Sequence, residues 1–218
     1  MNLPFEIRGV KYDFLREEDL GSCIEVISNY FGPFEPINRA VGIQPEDFEH
    51  FARFIGRQAL TDGLSMAATD ALTGQFIAPV ILKRFNQKVP SSEFALSPKL
   101  NPVFSMLESL NDMYTTTQQP EHELDDALEL YIGLTPPEYQ NMGISSTLWA
   151  ATELVAKKFG FKTIVSSITG GASAHIAVDK LGYSVLHEIQ YKTFQYSGEN
   201  IFASIKETET CKFVIKQV

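Results

Sequence analysis

The first half of the chain alternates between apolar residues at helical spacing and apolar residues at strand spacing. Leu20, Ile24 and Phe31 recur at the intervals of one helix face. A polar turn over 70–74 between two apolar runs indicates a β-hairpin, and Pro79 in its second strand predicts an edge position or a bulge. The predicted elements are a strand over 11–15, a helix over 17–31, a helix over 45–62, strands over 64–69 and 75–85, and a helix over 101–113.

The second half shows a clearer strand, helix, strand pattern. Its predicted elements are a strand over 127–134, a helix over 146–159, a strand over 162–169, a helix over 174–181, and closing strands over 183–196 and 212–218. Two strands joined through a helix in this way form a right-handed parallel unit. We therefore expect one α/β (α+β) domain over residues 1–218, with a mixed sheet and helices on its faces.

The turn over 138–146 joins a predicted strand to a predicted helix and contains Gly143. The first turn of a helix has backbone N–H groups without partners, and the helix dipole adds partial positive charge at the same end. A strand, turn and helix start of this kind favours an anion, most often a phosphate group. The pattern does not say which molecule supplies the phosphate.

Composition and charge narrow the class of protein. The chain has 218 residues, 44% of them hydrophobic and 21% charged, and a net charge of −9, which argues against a nucleic-acid surface. No apolar run approaches the length of a membrane span, and the N-terminal residues lack a signal-peptide pattern. We expect a cytoplasmic protein, a monomer or a homodimer, with no membrane partner.

Metal and nucleotide motifs are absent from the sequence. Cys23 and Cys211 have no Cys or His at ligand spacing, so we predict no metal site. The glycine fingerprints of dinucleotide-binding folds and of P-loop proteins are also missing. A doubly wound nucleotide-binding fold is therefore a poor candidate.

The turn and the element order resemble those of the GNAT superfamily of acetyl-CoA-dependent N-acetyltransferases. The signature turn of that family begins with Gln or Arg and has a Gly three residues later, which Gln140 and Gly143 match. Its last position is usually Gly or Ala, and Ser145 departs from this while remaining small. The ending over 180–183, Lys-Leu-Gly-Tyr, is similar to the Gly-Phe ending of the family's next helix.

The resemblance covers nearly the whole chain and implies a fold, a cosubstrate and a set of contacts. The implied fold is a mostly antiparallel central sheet with helices on both faces. The implied cosubstrate is acetyl-CoA, whose pyrophosphate lies on the turn and whose pantetheine follows the end of the preceding strand. The residues implied in binding are Leu134, Thr135, Gln140, Asn141, Met142, Gly143, Ile144, Ser145 and Ser146.

A narrower resemblance concerns the acceptor side. The segment over 34–42, Phe-Glu-Pro-Ile-Asn-Arg-Ala-Val-Gly, is similar to one in the arylalkylamine N-acetyltransferase-like branch, where its glutamate is implicated as general base. The match falls on Glu35. A proline follows Glu35, which favours an extended backbone, and Phe31 and Phe34 are expected to raise its pKa by desolvation. Ser173 occupies a position where this branch often has a serine, which makes it a candidate acid.

Two positions depart from the family pattern. Val178 stands where many members have a tyrosine that serves as general acid, and Gly171 stands where many have an asparagine. Another group must then protonate the leaving thiolate, or solvent does so, or activity has been lost. The other candidate acids in the sequence are Tyr183, His187 and Tyr191.

Acetyl transfer to an amine needs a base for the amine proton, a donor to the developing oxyanion, and correct positioning. The resemblance implies that the strand end over 133–135 donates the N–H to the oxyanion. We expect transfer to a small primary amine, with aromatic amines among the candidates, by direct attack in a ternary complex. Acetylation of a protein or peptide amine is an alternative. A third hypothesis is an inactive module that binds CoA or a protein partner. It is supported by Val178, which stands in place of the tyrosine acid of the family.

Overall fold

The computed structural model of the chain describes residues 2–85, 87, 96–116, 124 and 126–218, with the backbone alone over 114–116. Eight strands form one sheet in these parts of the chain. They are β1 Phe5–Ile7, β2 Val10–Phe14, β3 Met66–Asp70, β4 Phe76–Arg84, β5 Leu128–Gly133, β6 Thr163–Ile168, β7 Ser184–Gln190 and β8 Thr210–Gln217.

The described residues form seven α-helices, of which α4 shows the clearest capping chemistry. They are α1 Leu20–Val26, α2 Gly32–Phe34, α3 Pro36–Ala40, α4 Pro45–Asp62, α5 Asn101–Thr116, α6 Ile144–Phe159 and α7 Gly171–Ala174. In α4, proline occupies the first helical position, and Gln44 and Asp47 form a reciprocal capping box before it. The helix ends at Gly63, whose φ of 65° is the left-handed conformation that glycine adopts without strain.

The sheet order is β1-β2-β3-β4-β5-β6-β8-β7, and every neighbouring pair is antiparallel except β5 and β6. The predicted mixed, mostly antiparallel sheet is therefore confirmed. The parallel pair is joined through α6, as the strand, helix, strand pattern predicted.

The parallel pair β5 and β6 is joined only at its start. Leu128 faces Ile164 and Glu129 faces Val165, and no further ladder pairs form along these two fully described strands. At the next position the Ser166 hydroxyl donates a 2.8 Å hydrogen bond to the carbonyl oxygen of Leu130. The strands therefore separate toward their C-terminal ends and leave a V-shaped opening in the middle of the sheet.

Helices cover both faces of the sheet, as predicted. One face packs against α1, α4 and α5, and its core includes Ile27, Phe51, Ile81, Leu100 and Val165. The other face packs against α6, and its core includes Val80, Leu130, Leu148, Val155 and Ile164. Because side chains alternate along a strand, neighbouring residues of β5 and β6 contribute to opposite cores. No helix in the described ranges has the length and apolar character needed to cross a membrane.

The structure corrects three sequence-based predictions, and the first is the closing strand over 183–196, which ends as β7 at Gln190. The short strand β1 was not predicted, because three residues give too little alternation to read. Pro79 does not lie at an edge, since β4 pairs with β3 on one side and β5 on the other. The ladder to β5 begins only at Val80, and the register shifts fall at Ala68/Thr69 and Ile81/Leu82 rather than at Pro79 itself.

Candidate active site

The turn before α6 has the geometry of an anion site. Asn141 and Gly143 adopt positive φ values of 63° and 81°, and the helix begins directly afterwards at Ile144. No side chain caps this helix start, so the N–H groups of Ile144, Ser145 and Ser146 have no partner from the helix. Gln140, Asn141, Met142 and Gly143 are exposed around them. The predicted phosphate-binding residues thus form one open, electropositive helix start.

The turn lies against the end of β5. Leu134 and Thr135 follow that strand, and the Thr135 and Ser145 hydroxyl oxygens are 2.6 Å apart. The residues that pack beside them around a gap too small for a water molecule are Pro79, Val80, Gly133, Leu134, Ser145, Leu148 and Trp149. The structure therefore brings the strand-end residues and the turn residues of the predicted cosubstrate site together at the V-shaped opening.

A cavity of about 960 Å³ lies on the sheet face that carries α4 and α5. Much of its wall is aromatic: Phe31, Phe48, Phe51, Phe85, Phe104 and Tyr131. Among the described residues, its charged lining consists of four acids and one base: Glu35, Glu108, Asp112, Glu129 and Lys83. An apolar, acidic cavity of this kind suits a small cation with an apolar body.

Glu35 is buried in the wall of this cavity. Its φ of −64° and ψ of 135° confirm the extended backbone expected before a proline, and its carboxylate caps α3. Oε2 accepts a 2.8 Å hydrogen bond from the Asn38 N–H, while Oε1 is buried and has no hydrogen-bond partner among the described residues. A carboxylate oxygen left without a partner is costly unless a ligand supplies one.

Burial raises the pKa of Glu35 above its usual value. The Thr169 hydroxyl beside the carboxyl group, the N–H groups of Asn38 and Ile37, and the charge of Arg39 all oppose this rise. The direction agrees with the prediction from sequence, but one of the two expected causes is wrong. Phe31 lines the cavity, whereas Phe34 is 60% exposed and does not enclose the carboxylate. A raised pKa brings a carboxyl group closer to the range useful for a general base.

The surroundings of Glu35 come from distant parts of the chain that the sequence did not connect. Thr169 follows β6, and its carbonyl oxygen accepts a 2.7 Å hydrogen bond from the Tyr191 hydroxyl. Tyr191 is fully buried, and its pKa is raised by burial and by the nearby Cys211 and Glu35. Cys211 is also buried. No local motif marks these contacts, because each depends on the packing of β6 and β8 behind the glutamate.

The candidate acids lie in different places. Ser173 is a partly exposed residue of α7 and is not in the cavity lining, although Gly170 at the start of α7 lies against Pro36, next to Glu35. Tyr183 is buried on the opposite face of the sheet, where its ring meets Trp149 at 5.8 Å. His187 lies on β7. Of the two candidate tyrosines, Tyr183 and Tyr191, the structure brings Tyr191 near Glu35.

A buried ion pair in the cavity wall was missed from sequence. Lys83 Nζ and Glu129 Oε2 are 2.5 Å apart, and the side chains are only 8% and 7% exposed. The two residues are direct cross-strand partners on β4 and β5. A charged residue within a strand usually faces solvent. The sequence pattern alone would therefore place both side chains in solvent, whereas the structure buries them. No cluster of His, Cys, Asp or Glu among the described residues is arranged to hold a metal ion.

Solved structures share this architecture. No family model matches the sequence. Arylalkylamine N-acetyltransferase 2 from Aedes aegypti is 21% identical with a TM-score of 0.79, over 96% of this chain and 99% of that chain. The C-terminal condensation domain of Ebony, in complex with β-alanyl-dopamine, is 19% identical with a TM-score of 0.83, over 96% and 99%.

A third structure is the polyamine N-acetyltransferase of Drosophila melanogaster, which forms N-acetylagmatine. It is 14% identical with a TM-score of 0.75, over 96% of this chain and 100% of that chain. Likeness at these identities concerns the fold, and it extends over nearly the full length of each protein. The chain therefore has the fold of the GNAT acetyltransferases, including the arylalkylamine N-acetyltransferases that its sequence resembles.

Proposed function

We propose that the protein is an N-acetyltransferase that moves an acetyl group from acetyl-CoA to the nitrogen of a small primary amine. The observation that carries the proposal is Glu35, a buried carboxylate with one unpartnered oxygen in the wall of an aromatic, acidic cavity. The open helix start beside the V-shaped opening supports the donor side. The likeness to amine N-acetyltransferases supports the reaction class.

The donor side is proposed from the residues that fit a pyrophosphate. The unpaired N–H groups at the start of α6 face an exposed turn, and the left-handed conformations of Asn141 and Gly143 hold that turn open. Leu134 and Thr135 offer backbone groups to a chain that follows the end of β5. Acetyl-CoA supplies an acetyl group activated as a thioester, and the strand end over 133–135 donates an N–H to the carbonyl oxygen as charge develops.

On the acceptor side, Glu35 accepts the proton of the incoming ammonium, directly or through one water molecule. The neutral amine then attacks the thioester carbon to form the carbon–nitrogen bond, and the carbon–sulfur bond breaks with the electron pair leaving on sulfur. The second proton lost from the attacking nitrogen balances the proton that the thiolate takes up. Direct attack in a ternary complex suits this arrangement, because the cavity that would hold the amine and the exposed turn before α6 are formed by different residues. A positioned base of this kind contributes roughly 10²- to 10⁴-fold in rate.

Ser173 is our proposed proton donor to the leaving thiolate. It lies on α7, directly after the strand end whose Thr169 adjoins Glu35, and its hydroxyl is partly exposed. Solvent is the alternative donor, since Val178 stands where the related enzymes have a tyrosine. We expect Ser173→Ala to lower kcat and leave the affinity for CoA unchanged, and rates equal to those of the wild type would reject the role.

The acceptor is proposed to be a small amine, aromatic or aliphatic. Aromatic walls favour an apolar body, and four acids against one base favour a cationic head. The structural neighbours act on arylalkylamines, agmatine or polyamines, and one holds an amide of dopamine. A protein or peptide amine is the second candidate, and an inactive CoA-binding module is the third.

Two measurements separate these functions. Release of free thiol from acetyl-CoA is followed with a panel of arylalkylamines, diamines and short peptides. The proposal predicts release with small amines and little with peptides, whereas the reverse order would favour peptide acetylation. Calorimetry with CoA is the companion measurement, since binding without release for any amine would favour the inactive module. Failure of CoA to bind would contradict both transferase functions and the CoA-binding module, and would leave an inactive module that binds a protein partner.

A further inference from the structure

The buried ion pair at the inner end of the cavity has no role in the transfer described above. Lys83 and Glu129 both line the cavity, and Lys83 Nζ also lies 4.9 Å from the centre of the Tyr131 ring. Their strands are central in the sheet, and Glu129 faces Val165 at the last ladder pair before β5 and β6 separate. The pair therefore sits at the closed point of the V-shaped opening.

Stability does not explain this pair. Removing two charges from water costs more than their attraction usually returns, and apolar residues of similar volume often replace such pairs without loss of stability. The core on the same face of the sheet is already well packed, with Ile81, Phe85 and Val165 all buried. A charged pair that is buried in the wall of a cavity is instead a candidate for contact with a ligand.

The hydrogen bonds already present at the pair indicate what kind of ligand group fits. Lys83 Nζ donates to Glu129, reaches the Gln87 carbonyl oxygen at 3.4 Å and lies over Tyr131, so its donors are largely used. Glu129 has Lys83 as its one hydrogen-bond partner among the described residues, and a carboxylate accepts several. The Gln87 amide donates its N–H to Asp62, and its buried oxygen Oε1 has no partner in the part of the chain that the structure describes. Among the described residues, this end of the cavity therefore lacks donors, not acceptors.

The separation from Glu35 sets the length of that ligand. Glu35 adjoins Thr169, whereas Glu129 faces Val165, four residues earlier on the same stretch of chain. An extended strand rises about 3.3 Å per residue, so the two acids are separated by roughly 13 Å along β6. A molecule with its amine at Glu35 reaches the ion pair only if it is elongated and carries a second polar group at its far end.

We propose that Glu129, held by Lys83 and assisted by Gln87, selects acceptor amines that carry a hydrogen-bond donor at the end remote from the reacting nitrogen. A hydroxyl group or a second amine meets this requirement, and a purely apolar end does not. The inference rests on the proposed function for the placement of the reacting amine at Glu35. Glu129 is thus a specificity-determining residue, and Lys83 is a positioning residue for it.

The test uses two amines that differ only in the remote donor, tyramine and phenethylamine. Their dissociation constants are measured by calorimetry without acetyl-CoA, so the result does not depend on turnover. We expect the intact protein to bind tyramine about 10-fold or more tightly than phenethylamine, because a hydrogen bond to a buried charged group is worth that much. In the double variant Lys83→Met/Glu129→Leu, the preference should fall to about 1.

A neighbouring ion pair, between the last residue of β4 and a turn residue just before β5, provides the control. Arg84 and Asp126 are exposed and lie outside the cavity lining, so Arg84→Met/Asp126→Asn should keep the preference for tyramine. The single variant Glu129→Gln, which keeps the shape and one acceptor oxygen, should give an intermediate ratio. Thermal melts confirm that each variant is folded.

Three results would overturn the inference: equal ratios in the intact protein and the double variant, loss of the preference in the control as well, or no binding of either amine. Failure of the proposed function looks different. If the tyramine preference disappears in the double variant but no amine releases thiol from acetyl-CoA, the specificity site stands and the transfer reaction does not.

Discussion

At the scale of single residues, Glu35 meets two opposing demands. Its Oε2 caps α3 by accepting a hydrogen bond from the Asn38 N–H, which holds the side chain in one orientation. Its Oε1 is buried away from water. Folding therefore leaves it with a raised pKa and with one buried oxygen that has no hydrogen-bond partner among the described residues. The same burial that makes the carboxylate a better base makes its ionisation unfavourable for the fold.

Replacement of Glu35 by glutamine tests both consequences. We expect kcat/KM to fall by roughly 10²- to 10⁴-fold, with loss of the acidic limb of the pH–rate profile and no change in CoA affinity. The unfolded chain releases this proton at lower pH than the folded chain, so ionisation destabilises the fold as pH rises. Glu35→Gln should therefore not lower the melting temperature at pH 8. A parallel, unshifted pH profile would reject Glu35 as base.

Thr169 offers a milder test of the same carboxyl group. Its hydroxyl lowers the pKa of Glu35, so Thr169→Val should raise that pKa further. Activity requires the carboxylate, and the acidic limb of the pH–rate profile should therefore move to higher pH. Thr169→Ser keeps the hydroxyl and serves as the matched control. A shift of the limb to lower pH, or the same shift in both variants, would contradict this assignment.

At the scale of elements, the proposed site depends on two local departures from regular structure. The first is the turn before α6, where Asn141 and Gly143 are left-handed and leave the helix start uncovered. The second is the separation of β5 and β6 after Glu129 and Val165. The turn provides donors for an anion, and the separation provides space in the sheet, so neither alone would make a site for an elongated cosubstrate.

The two ends of α6 allow a matched experiment. Gly143 and Gly160 flank the helix, both have a φ of 81°, and an added Cβ meets no atom within 4 Å at either position. Gly143→Asp and Gly160→Asp should therefore each cost about 1–2 kcal/mol of unfolding free energy. Only Gly143→Asp places negative charge at the proposed phosphate site, and we expect about 10-fold weaker CoA binding there by calorimetry. Equal CoA affinities in the two variants would place the pyrophosphate elsewhere.

Local chemistry explains which elements the sequence predicted. The helix over 45–62 was predictable because its proline, its first-turn acids and its final glycine all act within the segment. The turn at Gly143 was predictable for the same reason. The edge position predicted from Pro79 was wrong. A proline is excluded from a central strand only where its missing N–H interrupts a ladder of hydrogen bonds. Here pairing with β5 starts at Val80, so no ladder is interrupted. That detail depends on the length of a partner strand.

The residues of the proposed site also fall into two groups, those with a local signal in the sequence and those without one. Glu35 was found through a short local segment, whereas Thr169, Tyr191 and the Lys83–Glu129 pair are tertiary neighbours without a local signal. Charged residues in a strand are usually read as solvent-facing, and the structure turns this pair inward to a cavity. A single sequence cannot reveal such a pairing, because nothing in either segment specifies its partner.

At the scale of the whole molecule, the two proposed ligand sites differ in charge. The chain carries a net charge of −9, and the cavity lining has four acids and one base among its described residues. The start of α6 instead offers helix-dipole and N–H groups to an anion. A cationic acceptor and an anionic cosubstrate would thus be drawn to different parts of one surface.

Salt should therefore weaken the binding of a cationic acceptor. We expect the dissociation constant of phenethylamine to rise a few-fold between about 10 mM and 300 mM NaCl, because salt screens the acidic field. Phenethyl alcohol has the same ring and no charge, and its weaker binding should change little. The same salt dependence for both compounds would show that the acidic lining does not attract the amine.

The central claim is that this protein forms an amide from acetyl-CoA and an amine with Glu35 as base. The most direct measurement is mass spectrometry of the product after incubation with acetyl-CoA labelled in the acetyl group and tyramine or a diamine. We predict labelled N-acetyl product in a one-to-one ratio with free CoA thiol, and a strong loss of both with Glu35→Gln. Absence of labelled amide with every amine, in a protein that binds CoA, would contradict the account.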